Sequence, residues 1–212
     1  MTIIAYRTAI ASRARACVRV RRGQWFAARV RVVSPPVPDG YVFGALSPAQ
    51  IAEDRIIAAR GRTARFLERY AAGNRAYGFL TQDGSIAAYG WCSGANDSGV
   101  VVPWELGVRL DIPAGTLYVW DCYTMEHHRR RGLYTQILLA MRAYAYERGA
   151  ARMVMCAADE NAPSRAGIVA AGFRSIGAYA ITRVGAMTVL RAGSHRSVRW
   201  GSTPHPFSWH FV

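Results

Sequence analysis

The spacing of apolar positions changes several times along the 212-residue chain. Near the start, Val18 and Val20 alternate with Arg19 and Arg21, and Val30 and Val32 with Arg29 and Arg31. Arg22-Gly23-Gln24 lies between the two runs, so the pattern predicts a hairpin with one apolar and one arginine face. Ser34-Pro35-Pro36-Val37-Pro38-Asp39-Gly40 is rich in turn residues and reads as a linker. A short strand over 41–46 runs into Ser47-Pro48, a cap with proline in the first helical position, and predicts a helix to about residue 60. A second helix over 63–72 stops at Gly73-Asn74. Strands over 76–81 and 85–91 join at Gln82-Asp83-Gly84, a hairpin signal. Residues 93–114, with Trp104 and Glu105, read as a long loop.

The last third is the most regular. Thr116 to Thr124 (TLYVWDCYT) predicts a strand, and Arg129-Arg130-Arg131-Gly132 a tight basic turn. Leu133, Ile137, Leu138, Met141, Tyr144 and Ala145 then fall on one helical face that ends at Gly149. Arg152 to Ala157 predicts a strand, Asn161 to Ala171 a helix ending at Gly172-Phe173, and Ser175 to Val189 two more strands. No internal repeat interrupts this order. Strand, helix, strand, helix, strand implies an α/β sheet containing a parallel pair.

Composition narrows the class. The chain is 51% hydrophobic and 19% charged, which suits a folded core and not a disordered polymer. No apolar run reaches the roughly 18 residues of a membrane helix. The net charge is +14, and every basic residue is arginine, which excludes lysine Schiff-base or lysine-nucleophile chemistry. Residues 1–40 carry eight arginines against Asp39, a surplus of +7 and half of the total. Such a surface attracts phosphates, and nucleic acid is one partner it suits. Cys17, Cys92, Cys122 and Cys156 are widely spaced and form no CxxC pair. That argues against a zinc site or a disulfide framework and fits reduced thiols in a cytoplasmic protein. The first 16 residues are arginine-rich and acid-poor but lack a secretory apolar core, and read as mature sequence.

The strand, basic glycine turn and helix between 116 and 149 make an anion site. The first amides of a helix have no intrahelical partner, and the helix dipole is positive there. Backbone amides from Arg131 to Thr135 are therefore placed to hold a diphosphate. Gly132 lets the ligand approach without a Cβ, and Arg129 can fork onto a phosphate. Neither a GxxxxGK loop nor a GxGxxG fingerprint is present here.

Arg129-Arg130-Arg131-Gly132-Leu133-Tyr134 resembles the R/Q-x-x-G-x-G/A loop of the GCN5-related N-acetyltransferases, and Asn161-Ala162-Pro163-Ser164 with Gly172-Phe173 resembles the family's downstream N-x-x-A/S…G-F segment. The resemblance covers roughly residues 76–190. It implies a mixed, twisted sheet of about six or seven strands with helices on both faces. To this the chain adds a basic N-terminal extension over 1–40, the acyltransferase domain taking 41–190 and a basic, aromatic tail or last strand 191–212. It implies acyl-CoA as co-substrate, with no metal, in a gap between the strands at 116–124 and 152–157. The pantetheine would pair with backbone at Cys122, Tyr123 and Thr124. The pyrophosphate would meet amides of Arg129, Arg130, Arg131, Gly132, Leu133 and Tyr134, with Thr135 adding a hydroxyl. Asn161 and Ser164 would touch the pantetheine arm. A backbone N–H near Tyr123 would stabilise the oxyanion.

Two positions depart from the family. Tyr134 stands where glycine or alanine is usual, and Ile168 where many members carry a tyrosine that protonates the leaving thiolate. Tyr123, Tyr179 or water must then substitute, or the thiolate leaves unaided. Asp121, mid-strand beside the expected thioester, is the candidate base for the acceptor amine; pairing with an arginine is the competing role. Glu126, Glu105 and Asp159 are weaker candidates. His127 and His128 point in different directions and suit a loop better than a metal. His195, His205 and His210 sit among Trp200, Phe207, Trp209 and Phe211 in the tail, which suits a final strand. The function implied is transfer of an acyl group, acetyl first, from CoA to a small-molecule or peptide amine by direct attack. A homodimer is compatible with these features. The rival is a catalytically weak protein of the same fold that binds nucleic acid or a protein through its arginines.

Overall fold

The computed structural model describes residues 18–31, 37–95, 99–101, 103, 106–107, 109–193, 195–200 and 206–208. The stretch before residue 18, with Cys17, and Val32, Trp104, Glu105, His205 and His210 lie outside the described residues. Among the described residues, twelve strands form two sheets and five segments are α-helices. The larger has nine strands, built from β1 (Val18–Arg29), β2 (Tyr41–Leu46), β3 (Arg75–Thr81), β4 (Ile86–Ala95), β7 (Thr116–Thr124), β8 (Arg152–Ala158), β9 (Arg174–Val184), β10 (Met187–Ala192) and β11 (His195–Trp200). Its order is β11-β10-β9-β1-β8-β7-β4-β3-β2. The smaller sheet joins β5 (Gly99–Val101), β6 (Arg109–Ile112) and β12 (Pro206–Ser208). Nine strands exceed the six or seven expected, because β1, β10 and β11 extend the sheet. The expected loop at 93–114 contributes β5 and β6 instead.

The helices are α1 (Pro48–Glu53), α2 (Arg55–Ala59), α3 (Thr63–Ala71), α4 (Leu133–Glu147) and α5 (Ala162–Ala170). The single helix expected over 47–60 is two. Ser47 and Gln50 form a capping box on α1, and Asp54 breaks the path by accepting from the amides of Ile56 and Ile57. Helices cover both faces of the sheet. Ile51, Ile57 and Phe66 pack with Trp25, Tyr89, Trp91, Tyr118 and Trp120 on one face. Leu133, Ile137, Leu138, Met141 and Ile168 pack with Phe26, Phe79, Leu117 and Val119 on the other. Neighbours such as Leu117 and Tyr118 thus serve opposite cores, as strand pleating requires.

The N-terminal hairpin is corrected to one continuous strand. β1 lies inside the sheet, antiparallel to β8 on one side and β9 on the other, with Trp25 opposite Cys156 and Gly177. Gly23 is a point of close packing and not a turn. A Cβ there would stand 2.4 Å from the Ala157 carbonyl oxygen and 2.5 Å from the Tyr179 hydroxyl.

Among the described pairings of the larger sheet, only β7 with β8 is parallel. Their ladder holds just three positions, Thr116 to Tyr118 against Arg152 to Val154. Beyond it the two strands part, and the site forms in the opening. No described helix is long and apolar enough to cross a membrane.

Candidate functional site

Where β7 leaves β8 it also bulges. Tyr123 pairs with Tyr89 and Trp120 with Trp91, so Asp121 and Cys122 together face the single residue Gly90. Gly90 has no room for a side chain: a Cβ would lie 2.9 Å from the Cys122 Sγ. The bulge puts Asp121 at φ 42, a left-handed conformation rare for a residue with a side chain. Its carboxylate anchors that geometry. Arg69 Nη1 donates to Asp121 Oδ2 at 2.5 Å, and Arg62 Nη1 lies 3.6 Å from Oδ1. Asp121 and Arg69 are almost wholly buried, and the Arg69 guanidinium lies over Trp120, Phe66 and Trp91 at 4.4, 4.9 and 5.0 Å from the ring centres. The arginine pairing weighed for Asp121 is therefore what the geometry contains.

Past the 3₁₀ turn Glu126–His128, the loop enters α4 through Arg130 at φ 61 and Gly132 at φ 73, both left-handed. Gly132 is the N-cap and carries no side-chain cap, and nothing stands within 4 Å of where its Cβ would be. The first α4 amides thus face open space with no intrahelical partner. Alternating left-handed residues turn successive N–H groups to one side, an anion-binding concavity.

Two cavities flank this entrance. The outer one, about 610 Å³, is lined by Cys122, Tyr123, Thr124, Arg129, Arg130 and the first residues of α4, with Asn161, Ser164 and Gly167 opposite. The inner one, about 320 Å³, lies in the opening between β7 and β8, with Trp120, Asp121, Met155, Cys156 and Tyr179 in its walls. Cys122, Tyr134, Asn161 and Ser164 line both, so the two spaces adjoin along these four residues.

Of the twelve residues expected to hold the co-substrate, eleven line the outer cavity. Arg131 does not: its guanidinium donates to the Tyr41 hydroxyl at 3.1 Å. Thr135 directs its hydroxyl to the Gly167 carbonyl at 3.5 Å. Asn161 caps α5 by accepting from the Ser164 amide at 3.2 Å. The Tyr123 hydroxyl accepts from Arg129 Nη2 at 3.0 Å, and Arg60 lies over its ring at 3.9 Å.

Tyr134 resolves the first departure from the loop pattern. Its side chain turns across to α5, where its hydroxyl bonds the Ser164 hydroxyl at 2.7 Å. The ring fits because residue 167 is glycine, where a Cβ would stand 2.4 Å from the ring. Burial pushes the Tyr134 phenol well above its ordinary range, with nearby Cys122 adding to this and the Ser164 bond opposing it, so it stays protonated at all working pH values. Ile168 is wholly buried in the core.

Several lining residues were not among the sequence candidates: His128, Gly167, Cys156 and Arg21. The signal for Gly167 was present, a glycine inside a strong helix pattern. His128 lines the outer cavity and bonds Tyr41 at 3.0 Å. Burial first, then the charges of Arg131 and His127, hold its imidazole below the ordinary histidine range. Nothing in the spacing pointed to Arg21, which reaches the inner cavity through the pairing of β1 with β9; Tyr179, one of the groups weighed for the thiolate proton, lines the same cavity. Among the described residues no group of three or more His, Cys, Asp or Glu is placed to hold a metal ion.

The arrangement suits a long ligand with an anionic head. Unpaired amides wait at the head, an unpaired strand edge runs beside its middle, and an enclosed cavity receives its end. Several solved structures share the fold. An acetyltransferase of the GNAT family from Novosphingobium aromaticivorans aligns with a TM-score of 0.52 at 22% identity, over 78% of this chain and 66% of that one. A Drosophila protein gives 0.52 at 13% identity over 85% and 56%. The glucosamine N-acetyltransferase region of a fungal multi-domain GH3 β-N-acetylglucosaminidase gives 0.55 at 11%, over 86% and 23%. The chain thus spans a little over half to about two thirds of the first two. No curated protein matches. A model of the acetyltransferase (GNAT) family matches residues 49–173, a span that holds the bulged strand, the arginine loop and the Asn161 segment. With that match over more than half of its length, the chain belongs to the acetyltransferase (GNAT) family.

Proposed function

We propose that the protein transfers an acyl group, acetyl first, from acetyl-CoA to an amine, which attacks directly with no acyl-enzyme. One observation carries this reading: an amide-lined outer cavity adjoins an inner one along Cys122, Tyr134, Asn161 and Ser164. Acyl-CoA supplies the activated thioester, and the chain supplies position and proton handling. The α4 amides and Arg129 hold the diphosphate. Beyond the short ladder of β7 with β8, the backbone from Cys122 to Thr124 aligns the arm as a neighbouring strand would. A backbone N–H near Tyr123 stabilises the oxyanion.

Asp121 and Glu160 both stand in the wall of the inner cavity; Asp121 lies on β7 beside the expected thioester, and its Oδ1, with Arg62 at 3.6 Å, is its less engaged oxygen. Of the two carboxylates Asp121 is the one placed for the acceptor. We assign it the amine's proton, taken through a water. The leaving thiolate is assigned a proton relayed from solvent through the paired hydroxyls of Tyr134 and Ser164, both of which line the two cavities, whereas the Tyr123 hydroxyl is taken up by Arg129 at the outer cavity.

A thiol-release assay with acetyl-CoA across amines, aminosugars, peptides and aminoacyl-tRNA tests the reading. Release that depends on one acceptor class supports it. Calorimetry without heat on acetyl-CoA titration, together with no release from any acceptor, overturns it.

A further inference from the structure

The opposite end of β8 holds a different concentration of charge. Arg29 and Arg152 face each other across the β1–β8 pairing, Arg174 opens β9, Arg31 follows β1, and Arg142 reaches over from α4. The five line one groove of about 620 Å³. Among the described residues no carboxylate lines it, and none pairs with Arg29, Arg31, Arg142 or Arg174. The groove shares no residue with either cavity of the candidate acyl site. β8 runs between them, with Arg152 at its start lining the groove and Met155 to Ala158 lining the inner cavity.

Arg142 is fixed as a reference point for the others. It donates to the Ala171 carbonyl at 3.1 Å and to the Arg29 carbonyl at 2.9 Å. Its Nε is buried and has no hydrogen-bond partner. Burial, and then the charge of Arg31, push this guanidinium below its ordinary value. Like charges brought together without a counter-ion raise the energy of the folded chain, and a bound polyanion removes that cost.

We propose that this groove binds a compact chain of linked phosphates, at a site separate from that of the acyl donor. Arginine forks match phosphate oxygens in geometry and charge, and five of them call for several negative charges within one small span. The volume is that of a small-molecule site. Among the described residues no aromatic ring lines it to stack exposed bases, so single-stranded nucleic acid fits less well. The inference does not rest on the acyltransferase reading.

Isothermal titration with inorganic tripolyphosphate tests it, on the intact chain and on three variants. Arg31 and Arg174 are exposed, so Arg31→Ser/Arg174→Ser keeps the fold, which its melting temperature checks. One binding event is expected, about tenfold or more weaker in that variant. Arg31→Lys/Arg174→Lys keeps the charge without the fork and falls between the two. Gly132→Glu, which alters only the α4 entrance, leaves this affinity unchanged. ATP binding more tightly than tripolyphosphate names a nucleotide as the source of the phosphates, and equal or weaker binding an inorganic chain. The proposal fails if no tripolyphosphate binds, if the serine variant binds as tightly as the parent, or if Gly132→Glu alone removes binding. Tighter binding in this groove by a single-stranded oligonucleotide or a glutamate-rich peptide than by tripolyphosphate also overturns it.

Discussion

The two ends of β8 are built for anions by opposite means. Beyond its C-terminal end, the proposed acyl site draws on backbone: left-handed Arg130 and Gly132, the uncapped start of α4, and the part of β7 past its ladder with β8. At its N-terminal end, the groove draws on side chains that converge from β1, α4, β8 and β9. The first arrangement is made by residues 116–135, which are contiguous, so its geometry is set locally by turn and helix. The second exists only after strands far apart in sequence have paired. A backbone site tolerates changes of side chain but not of backbone conformation. A side-chain site has the reverse sensitivity.

The largest effect expected from that contrast is at Gly132. Gly132→Glu puts a Cβ on a left-handed residue and a carboxylate at the α4 entrance. Acetyl-CoA affinity should fall about a hundredfold or more in calorimetry. Arg131→Ser, by contrast, should leave it within about threefold, since that side chain turns to Tyr41. If the two losses are equal, the site reads side chains and the contrast breaks.

Next in size is Asp121→Ala, which strands the buried Arg69 guanidinium. Removing one partner of a buried pair costs about 3–5 kcal/mol, to be read from chemical denaturation. Because this loss is structural, the role of Asp121 in proton transfer needs a kinetic measure. Asp121→Asn should lower kcat about tenfold or more while acetyl-CoA affinity holds. An unchanged kcat takes Asp121 out of the mechanism.

Gly167→Ala should destabilise by about 1–3 kcal/mol, because the new methyl falls on the Tyr134 ring. Adding Tyr134→Ala should recover part of that loss, and thermal melts of the double-mutant cycle measure the coupling. Additive losses would separate the two positions. Tyr134→Phe removes only the bond to Ser164, about 0.5–1.5 kcal/mol. A fall in turnover larger than the fall in stability assigns its hydroxyl to the reaction.

The smallest effect is at His128. Its folded pKa lies below that of the unfolded chain, so its contribution to stability is fully present above about pH 6.5. It is lost as pH falls through the folded value, because the unfolded imidazole takes its proton first. The melting temperature of the parent should drop more than that of His128→Gln between pH 7.5 and 5. Parallel curves would show that its environment does not bear on folding.

Legibility followed the same division. The arginine turn, α4, β8 and α5 stood in the sequence because each is a run of neighbours with its own period and its own stop signal. The residues expected at the outer cavity from those runs line it, save Arg131. The first strand was misread because its glycine has two explanations. A turn and a close approach both require residue 23 to lack a side chain, and only Ala157 and Tyr179, more than a hundred positions on, distinguish them. Asp121 is ambiguous in the sequence for a similar reason: its partners Arg62 and Arg69 stand at the start and in the last turn of α3, 52 or more positions away.

By itself the sequence determined the elements whose causes lie within one turn or one strand: the caps, the amphipathic face of α4, and the glycine that opens its entrance. It also determined the surplus of arginine. Tertiary structure alone decided where β1 is inserted, which arginines meet at the far end of β8, and that Tyr134 turns across to α5 over Gly167. Those outcomes depend on how strands pair and side chains interlock at close range, and a linear pattern carries no distance between residues that are not neighbours.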